Sequence, residues 1–215
     1  MYKKRLFAFD AQPFFFARVR CAFQFARPVP GSSPMQLMPP DPLMPFISLM
    51  PLMHYWLMKS EPDEVSFDDV MAATACTLAW SGVRNYQARN FMRDQMATGD
   101  GVLFYHSSCA EPGVAGIAEV ASAAYPDQSQ FEPDGKYFDP KATPDAPRWI
   151  SVDVRGLEQG RYLPLPEMRA MAELEDMVML QKGSRLSITP VTAGQWQAIL
   201  KRLRESKWKQ VAKKI

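Results

Sequence analysis

The chain has 215 residues, 47% of them hydrophobic and 12% aromatic, which is enough for one globular domain or a small pair. Its net charge of +2 divides unevenly, since residues 1–53 carry +4, residues 201–215 carry +6 and residues 54–200 carry −8. A body of that charge repels phosphate overall, which excludes broad, non-specific binding of nucleic acid by residues 54–200. Any contact with nucleic acid is therefore expected through a few placed arginines or through the basic C-terminus.

The cysteine and histidine content predicts neither a disulfide framework nor a metal site. Cys21, Cys76 and Cys109 are widely spaced and odd in number, which is typical of a reducing compartment, and we predict a cytoplasmic location. The two histidines, His54 and His106, lack the spacing of zinc ligands. No apolar run approaches the ~20 residues of a membrane helix. We predict no metal, no cofactor and no membrane partner.

The N-terminal residues 1–53 are predicted to be a disordered or extended segment. Eight prolines and five methionines fall between Pro28 and Met53 without helical or strand periodicity. Proline removes a backbone donor and disfavours helix in the residue before it. A second hypothesis is that translation begins at Met50 or Met53, where ordered-looking sequence starts. A native species beginning at Met1 would contradict that hypothesis.

The sequence after this segment opens with a strand and two helices. Residues 54–58 are apolar and aromatic over too short a run for a helix, which predicts a buried strand. Ser66 followed three residues later by Asp69 predicts a capping box and a short helix. A second helix is predicted from about Asn85 to about Met96, before a glycine that stops it.

The rest of the chain, from about residue 102 onward, is also predicted to contain both strands and helices. The predicted elements are strands at 102–106, 114–120, 149–154 and 185–188, and helices at 166–177 and from Thr192 onward, the last with Gln195 in a capping box. The connection over residues 126–147 is long for a compact domain, and such loops are often functional. Its residues 136–140 are expected to fold over a site.

Short strands mixed with helices, without a regular βαβ alternation, predict an α+β domain built on a small mixed barrel. We assign this domain to residues 54–206. Residues 207–215 are predicted to be a basic C-terminal tail.

Residues 80–93 combine one tryptophan, one glycine, three arginines and two asparagines. Trp80 can stack on a base, and Gly82 allows close backbone approach. Arg84 and Asn85 can form bidentate contacts with a base edge or a phosphate. The structural alternatives are a core tryptophan, an arginine paired with an acid, and an asparagine that caps a helix. The preferred interpretation is a pocket for a flat, polar, base-like ligand.

A second set of candidates follows the strand at 102–106. Tyr105 and Ser107 face together and His106 faces away, because side chains alternate along a strand. Both faces can line one pocket only if the strand bulges. The alternative for His106 is a buried histidine satisfied by the backbone. Ser60 and Ser187 can supply hydroxyl groups at the edges of a pocket.

Four motifs in order make residues 54–200 resemble the EVE domain, a branch of the PUA-like superfamily. They are YWLMKSEP at 55–62, WxGVRNYQARNF at 80–91, GD with FYHS at 99–107, and KGSRLS at 182–187. The resemblance implies a PUA-like mixed β-barrel with flanking helices, and binding of RNA or of modified bases in nucleic acid. The predicted ligand-binding residues are Ser60, Trp80, Gly82, Val83, Arg84, Asn85, Tyr105, His106, Ser107, Arg185 and Ser187.

The preferred function is a non-enzymatic module that recognises a modified base or nucleotide in DNA or RNA, with no catalytic residues. A serine-nucleophile elbow, an orienting acid for His106 and a phosphate-cradling glycine loop are all missing from the sequence. One alternative is a small amidohydrolase site of Lys59, Glu61 and Glu119, as in other PUA-like proteins that act on modified nucleosides. A second is a protein-interaction module that docks through the N-terminal segment or the basic C-terminal helix.

Overall fold

The computed structural model describes residues 53–212, and within that range it describes side chains as far as residue 205. Residues 1–52 of the predicted extension, with the alternative start at Met50, lie outside the described residues. The side chains of the predicted basic tail lie outside them as well. Within the described range, no helix is both long enough and apolar enough to cross a bilayer.

The described part of the chain contains strands, α-helices and single 3-10 turns. The strands are β1, Tyr55–Ser60; β2, Thr77–Trp80; β3, Gly101–His106; β4, Gly113–Val120; β5, Tyr125–Pro126; β6, Ile150–Glu158; β7, Leu163–Pro164; and β8, Ile188–Val191. The α-helices are α1, Phe67–Ala72; α2, Tyr86–Asp94; α3, Leu165–Arg169; and α4, Ala193–Ala212. The 3-10 turns are Thr74–Cys76, Gln128–Phe131, Ala172–Leu174 and Val178–Leu180.

The strands form one mixed sheet in the order β2–β6–β4–β3–β1–β8. β1 and β3 run parallel, whereas the other neighbours on this path are antiparallel. The short strands β5 and β7 pair with β6 and β4. The predicted α+β class is confirmed. Within the described residues the sheet stays open between its two end strands, β2 and β8.

Alternation along the central strands gives the sheet two apolar faces. The first face carries Trp56, Met58 and Phe104 and is covered by α1 and α2. The second face carries Leu57 and Leu103 and is covered by α4 and the segment after β7. Each fully buried side chain of this size contributes about 1.5–3 kcal/mol to folding. The sheet is therefore a rigid base for the groups at its ends.

Two predicted capping boxes are confirmed. The Ser66 side chain accepts a hydrogen bond from the Asp69 amide at 3.2 Å, and the Asp69 carboxylate accepts one from the Ser66 amide at 2.9 Å. Thr192 and Gln195 exchange the equivalent bonds at 3.3 and 3.0 Å before α4. Such caps satisfy N–H groups that no preceding turn of helix can reach.

The predicted helix at 166–177 is wrong in extent. Only α3 is α-helical there, and 3-10 turns follow it. Four buried side chains, Met168, Met171, Leu174 and Met177, recur at intervals of three residues. That interval matches the 3-10 period rather than the 3.6-residue period of an α-helix.

Two edge strands also differ from prediction. The strand predicted at 185–188 begins only at Ile188 and continues to Val191 through Pro190, which is tolerated because β8 is a sheet edge. The strand Thr77–Trp80 was not predicted. It is four residues long and pairs on one side only, with β6, so its sequence pattern is weak.

Candidate functional site

Trp80 lies at the last position of β2, opposite Val152 of β6. Its indole packs edge-on against Phe104, with ring centroids 5.3 Å apart and planes at 80°. The side chain is only partly buried. The tryptophan is thus attached to the first core on one side and keeps contact with solvent, so the core and stacking interpretations of this residue are compatible.

Gly82 adopts a conformation that a side chain would disturb. Its φ of +83° lies in the left-handed region, and a Cβ atom added there would meet the Tyr137 ring at 2.8 Å. The Gly82 amide donates a hydrogen bond to the Asp127 carboxylate at 2.9 Å. Glycine is required both for the turn after β2 and for the close approach of the tyrosine.

Arg84 directs all of its donors at the protein. A guanidinium has five N–H groups, and five contacts are present: to the Val83 carbonyl at 3.0 Å, to the Asp127 carboxylate at 2.8 Å, to the Ser129 hydroxyl at 3.1 Å, and two to the Tyr137 carbonyl, one of them at 3.0 Å. The Asp127 side chain is 1% exposed. Recognition of a base edge by Arg84 would require some of these bonds to break.

Asn85 begins α2, and Val83 lies in the first core. The Asn85 side-chain oxygen accepts from the amides of Gln87 at 2.9 Å and Ala88 at 3.1 Å, which is the capping arrangement raised from the sequence. Val83 is 6% exposed and packs with the first core. Asn85 itself is exposed, so its amide nitrogen remains a possible donor to a ligand.

The connection at 126–147, here called the arch, crosses over this turn. Tyr137 lies on Gly82 and donates its phenol to the Glu64 carboxylate at 2.8 Å, and the neighbouring Lys136 pairs with the same carboxylate. Burial raises the pKa of the Tyr137 phenol, and its hydrogen bond to Glu64 raises that pKa further. The arch thereby joins the turn after β2 to the segment after β1.

His106 serves as a hydrogen-bond acceptor for the start of α1. Its Nε2 accepts from the Phe67 amide at 3.1 Å, which places the ring proton on Nδ1 in the neutral form. Burial lowers the pKa of His106 below its ordinary value of 6.5. The ring also packs edge-on against Phe104 at 5.7 Å. The histidine is thus a neutral support for α1, beside the residue that holds Trp80.

Comparison with known proteins identifies the family. The model of the EVE domain matches residues 54–202. Thymocyte nuclear protein 1 from Homo sapiens is 39% identical in an alignment 167 residues long, which covers 69% of this chain and 73% of that protein. The chain belongs to the EVE domain family.

Solved structures of similar chains share this EVE domain fold. A protein from Pseudomonas syringae is 50% identical, with a TM-score of 0.65 over 68% of this chain and 97% of that one. Human THYN1 in complex with DNA containing 5-methylcytosine is 39% identical, with a TM-score of 0.65 over 68% of this chain and 95% of that one. A protein from Leishmania major is 45% identical, with a TM-score of 0.68 over 72% and 97% of the two chains.

The predicted ligand residues of this EVE domain divide between the two faces of the sheet. Phe104 of β3 pairs with Gly116 and Tyr105 pairs with Val114, so the extra residue of the bulge, Ala115, belongs to β4. β3 itself keeps its alternation. Tyr105 packs in the second core, whereas Phe104 lies in the first. Trp80 and Tyr105 therefore face opposite sides.

The serines and Arg185 lie around the end of β1. The Ser60 hydroxyl donates to the Val65 carbonyl at 2.6 Å. Ser107 donates its amide to the Ser60 carbonyl at 2.8 Å. Ser187 accepts a bond from the Lys59 amide on its carbonyl at 2.8 Å, and Arg185 is exposed. None of these groups forms a hydrogen bond with Trp80, Arg84 or Asn85 within the described residues.

Sequence reasoning missed the residues that assemble the turn, namely Glu64, Asp127, Trp149 and the stacking partner Tyr86. Asp127 is separated from Arg84 by 43 residues, and no local pattern predicts that pair. Tyr86 stacks on Trp149 with centroids 5.0 Å apart, and the Arg89 guanidinium lies 4.8 Å from the Tyr86 ring. The unusual length of the arch was the available signal.

The amidohydrolase hypothesis requires residues that the structure keeps apart. Glu119 aligns with Gly101 and, through it, with Tyr55, while Lys59 lies four residues further along β1. That spacing is roughly 13 Å along the strands. Glu119 is paired instead with Arg155. Within the described range there is also no cluster of three His, Cys, Asp or Glu side chains able to hold a metal.

One cleft of about 300 Å³ lies away from these residues, at the opposite end of β1. Its lining residues are Met53, His54, Tyr55, Trp56, Gln95, Pro190, Val191 and Ala193. None of the predicted ligand residues contributes to it. We therefore prefer the region around Trp80 to this cleft as the candidate site, because of the chemistry of its side chains and not because of the size of a cavity.

Proposed function

We propose that this EVE domain is a non-enzymatic reader of a modified base in nucleic acid, with Trp80 as its stacking surface. The observation that carries the proposal is the partly exposed indole held against Phe104, beside a turn that only glycine can form. Stacking of a base on an aromatic side chain contributes ~1–3 kcal/mol. The THYN1 complex with DNA containing 5-methylcytosine supports the same ligand class.

Arg84 acts in this proposal as a support rather than as the group that reads the base. Its five bonds hold Val83, Asp127, Ser129 and Tyr137 in one arrangement. Binding sites of this kind need side chains that are locked before the ligand arrives, because ordering them on binding costs affinity. The groups left to contact a ligand are the Trp80 indole and the Asn85 amide nitrogen, whereas the Ser60 and Ser107 hydroxyls already donate to carbonyls of the protein.

A modified base in a duplex must leave the stack before Trp80 can contact it. Unstacking costs a few kcal/mol and is easiest for single-stranded or mismatched sites. The charge of −8 on residues 54–200 adds to this selectivity. It repels the phosphate backbone of nucleic acid, so binding through phosphates alone, without a base at Trp80, is disfavoured. We therefore expect tighter binding to single-stranded than to paired oligonucleotides of the same sequence.

The test is a binding titration of the full chain with labelled oligonucleotides that differ only by 5-methylcytosine against cytosine. The wild-type chain should prefer the modified strand. Trp80→Leu should lose that preference and Trp80→Phe should retain part of it. Tyr55→Leu is the matched control, because Tyr55 is also partly buried but stacks on Trp196 at the second face. Equal affinities for both strands in the wild-type chain would contradict a reader of this modification.

An enzymatic role is tested in the same series. Incubation with modified nucleosides, followed by mass spectrometry, should show unchanged nucleoside, and product formation would overturn the non-enzymatic assignment. The cytoplasmic location stays a prediction, and the human relative is named a nuclear protein. The protein-interaction hypothesis also stays a prediction, because nothing in the structure tests a partner for the C-terminal helix and the N-terminal segment lies outside the described residues.

A further inference from the structure

Lys59 is a partly buried cation without a partner among the described residues. Its ammonium takes part in none of the ion pairs or hydrogen bonds of residues 53–205. Burial lowers the pKa of this lysine. Lysine is rarely withdrawn from water unless it is paired, because desolvation of the charge is unfavourable. A lysine in such surroundings is a candidate for contact with an anionic ligand.

Two hydroxyl groups flank Lys59 on neighbouring strands. Lys59 is aligned with Tyr105 of β3, and its amide donates to the Ser187 carbonyl at 2.8 Å just before β8 begins. Aligned residues project to the same face, so the Lys59 and Tyr105 side chains both lie on the second face. Adjacent strands are ~4.8 Å apart, so the backbones of Tyr105, Lys59 and Ser187, here called the row, lie within about 10 Å of each other.

Neither hydroxyl is engaged within the described part of the chain. Tyr105 is 3% exposed, yet its phenol makes no hydrogen bond there, and the Ser187 hydroxyl makes none either. Burial raises the pKa of Tyr105 to about 12, so the phenol is a donor at neutral pH. A largely buried hydroxyl without a protein partner is satisfied by water or by a ligand.

Further positive charge adjoins the row. The Arg169 charge acts on the Tyr105 phenol, and Arg185 lies two residues before Ser187. Both arginines are exposed, and neither forms an ion pair within residues 53–205. By contrast, Arg161 is paired with Glu167 of α3, the helix that ends at Arg169. In a body of charge −8, these are three cations that no carboxylate pairs within residues 53–205.

We propose that Lys59, Tyr105 and Ser187 form a phosphate-binding site, with Arg169 and Arg185 at its rim. Every group in the row donates hydrogen bonds, and the charge is positive, which suits the oxygens of a phosphate. The phosphate could belong to a nucleic-acid backbone or to a free nucleotide. Because Lys59 and Tyr105 lie on the face opposite Trp80, the phosphate would not be the one adjacent to the stacked base. Assignment to a more distant phosphate of the same strand rests on the proposed function, whereas a free nucleotide site does not.

The test compares Lys59→Met, which keeps the aliphatic stem, with Lys59→Arg, which restores the charge, and Lys201→Met, a control that removes an exposed lysine from α4. Binding of the full chain to a single-stranded oligonucleotide is measured over a range of salt concentrations. Lys59→Met should bind about tenfold more weakly, as expected for a lost charged hydrogen bond. Its salt slope should fall by about 0.7, the value for one phosphate of a single strand. Lys59→Arg should recover most of the affinity.

Neutral and minimal ligands distinguish the two phosphate sources. With methylphosphonate linkages, the wild-type chain and Lys59→Met should bind equally if the site takes backbone phosphate. If a free nucleoside monophosphate binds saturably, and Lys59→Met weakens it, the site takes nucleotides. Binding of a modified nucleoside without phosphate should be unchanged in Lys59→Met and abolished in Trp80→Leu. A failure of the reader function and a failure of the phosphate site therefore give different results.

Three results would overturn the phosphate site. The first is equal affinity and salt slope for the wild-type chain and Lys59→Met. The second is an equal loss in Lys201→Met, which would indicate general attraction by charge. The third is the absence of saturable binding of both oligonucleotide and nucleoside monophosphate to the wild-type chain.

Discussion

The Arg84 guanidinium and the Asp127 carboxylate form an ion pair at 2.8 Å across 43 residues of sequence. The same Asp127 carboxylate accepts hydrogen bonds from the Gly82 amide at 2.9 Å and from the Ser129 hydroxyl at 2.7 Å. One buried acid therefore joins the turn after β2 to the beginning of the arch. The position of Trp80 depends on this acid, because the turn follows directly from that residue.

Asp127→Ala is expected to destabilise the domain by about 2–4 kcal/mol, since it leaves a partly buried guanidinium and three other donors, the Gly82 amide and the amide and hydroxyl of Ser129, without this acceptor. The measurement is urea-induced unfolding of the wild-type and variant chains. Asp94→Ala is the control, because the Arg93–Asp94 pair is exposed and its loss should have little effect. Equal effects of the two substitutions would contradict the role given to Asp127.

Gly82→Ala should be more harmful than Gly183→Ala, although both glycines have a φ of +83°. Backbone strain of about 1–2 kcal/mol applies to both substitutions. Only at Gly82 would the added methyl group also collide with Tyr137, since nothing lies within 4 Å of the equivalent position at Gly183. The difference between the two unfolding free energies isolates the effect of that contact. The prediction fails if the two variants unfold at the same urea concentration.

Tyr137→Phe should weaken the binding of a modified oligonucleotide several-fold, because it removes the more buried of the two links between the arch and Glu64 and leaves only the exposed Lys136. The loss in stability is expected to be about 0.5–1.5 kcal/mol. Tyr125→Phe is the control. It removes a similar hydrogen bond, from the Tyr125 phenol to the Asp153 carboxylate at 2.7 Å, which does not involve the arch. It should cost similar stability and leave binding unchanged. Equal losses of binding in both variants would show that the arch has no specific part in it.

Stability should depend on pH through His106. Because burial lowers the pKa of this histidine from 6.5, the unfolded chain binds its proton more readily than the folded chain below that pH. The stabilisation is complete above pH 6.5 and is lost as the pH falls toward the folded pKa. His106→Gln keeps an acceptor for the Phe67 amide but does not titrate. As the pH is lowered from 8 to 5, the free energy of unfolding should therefore decrease more steeply for the wild-type chain than for His106→Gln. Parallel curves for the two chains would refute the prediction.

Much of the local structure could be predicted from short-range chemistry. Ser66 with Asp69, and Thr192 with Gln195, form capping boxes within single turns, and Asn85 caps α2 by the same short-range rule. The opposite orientation of Tyr105 and His106 follows from strand alternation alone. The run at 166–177 was predicted less well, because intervals of three and of 3.6 residues are hard to separate over so few residues.

Short-range patterns in the chain were enough to predict most of the main strands, helices α1, α2 and α4, the EVE domain motifs and the importance of the stretch around Trp80. Long-range packing places Arg84 and His106 in support of the turn and of α1, puts the bulge in β4 rather than β3, and leaves Lys59 without a partner among residues 53–205. These outcomes depend on contacts such as Arg84 with Tyr137, 53 residues away, and His106 with Phe67, 39 residues away. Periodicity and capping act within a few residues, whereas the partner of a buried charge is chosen by the packing of the whole domain.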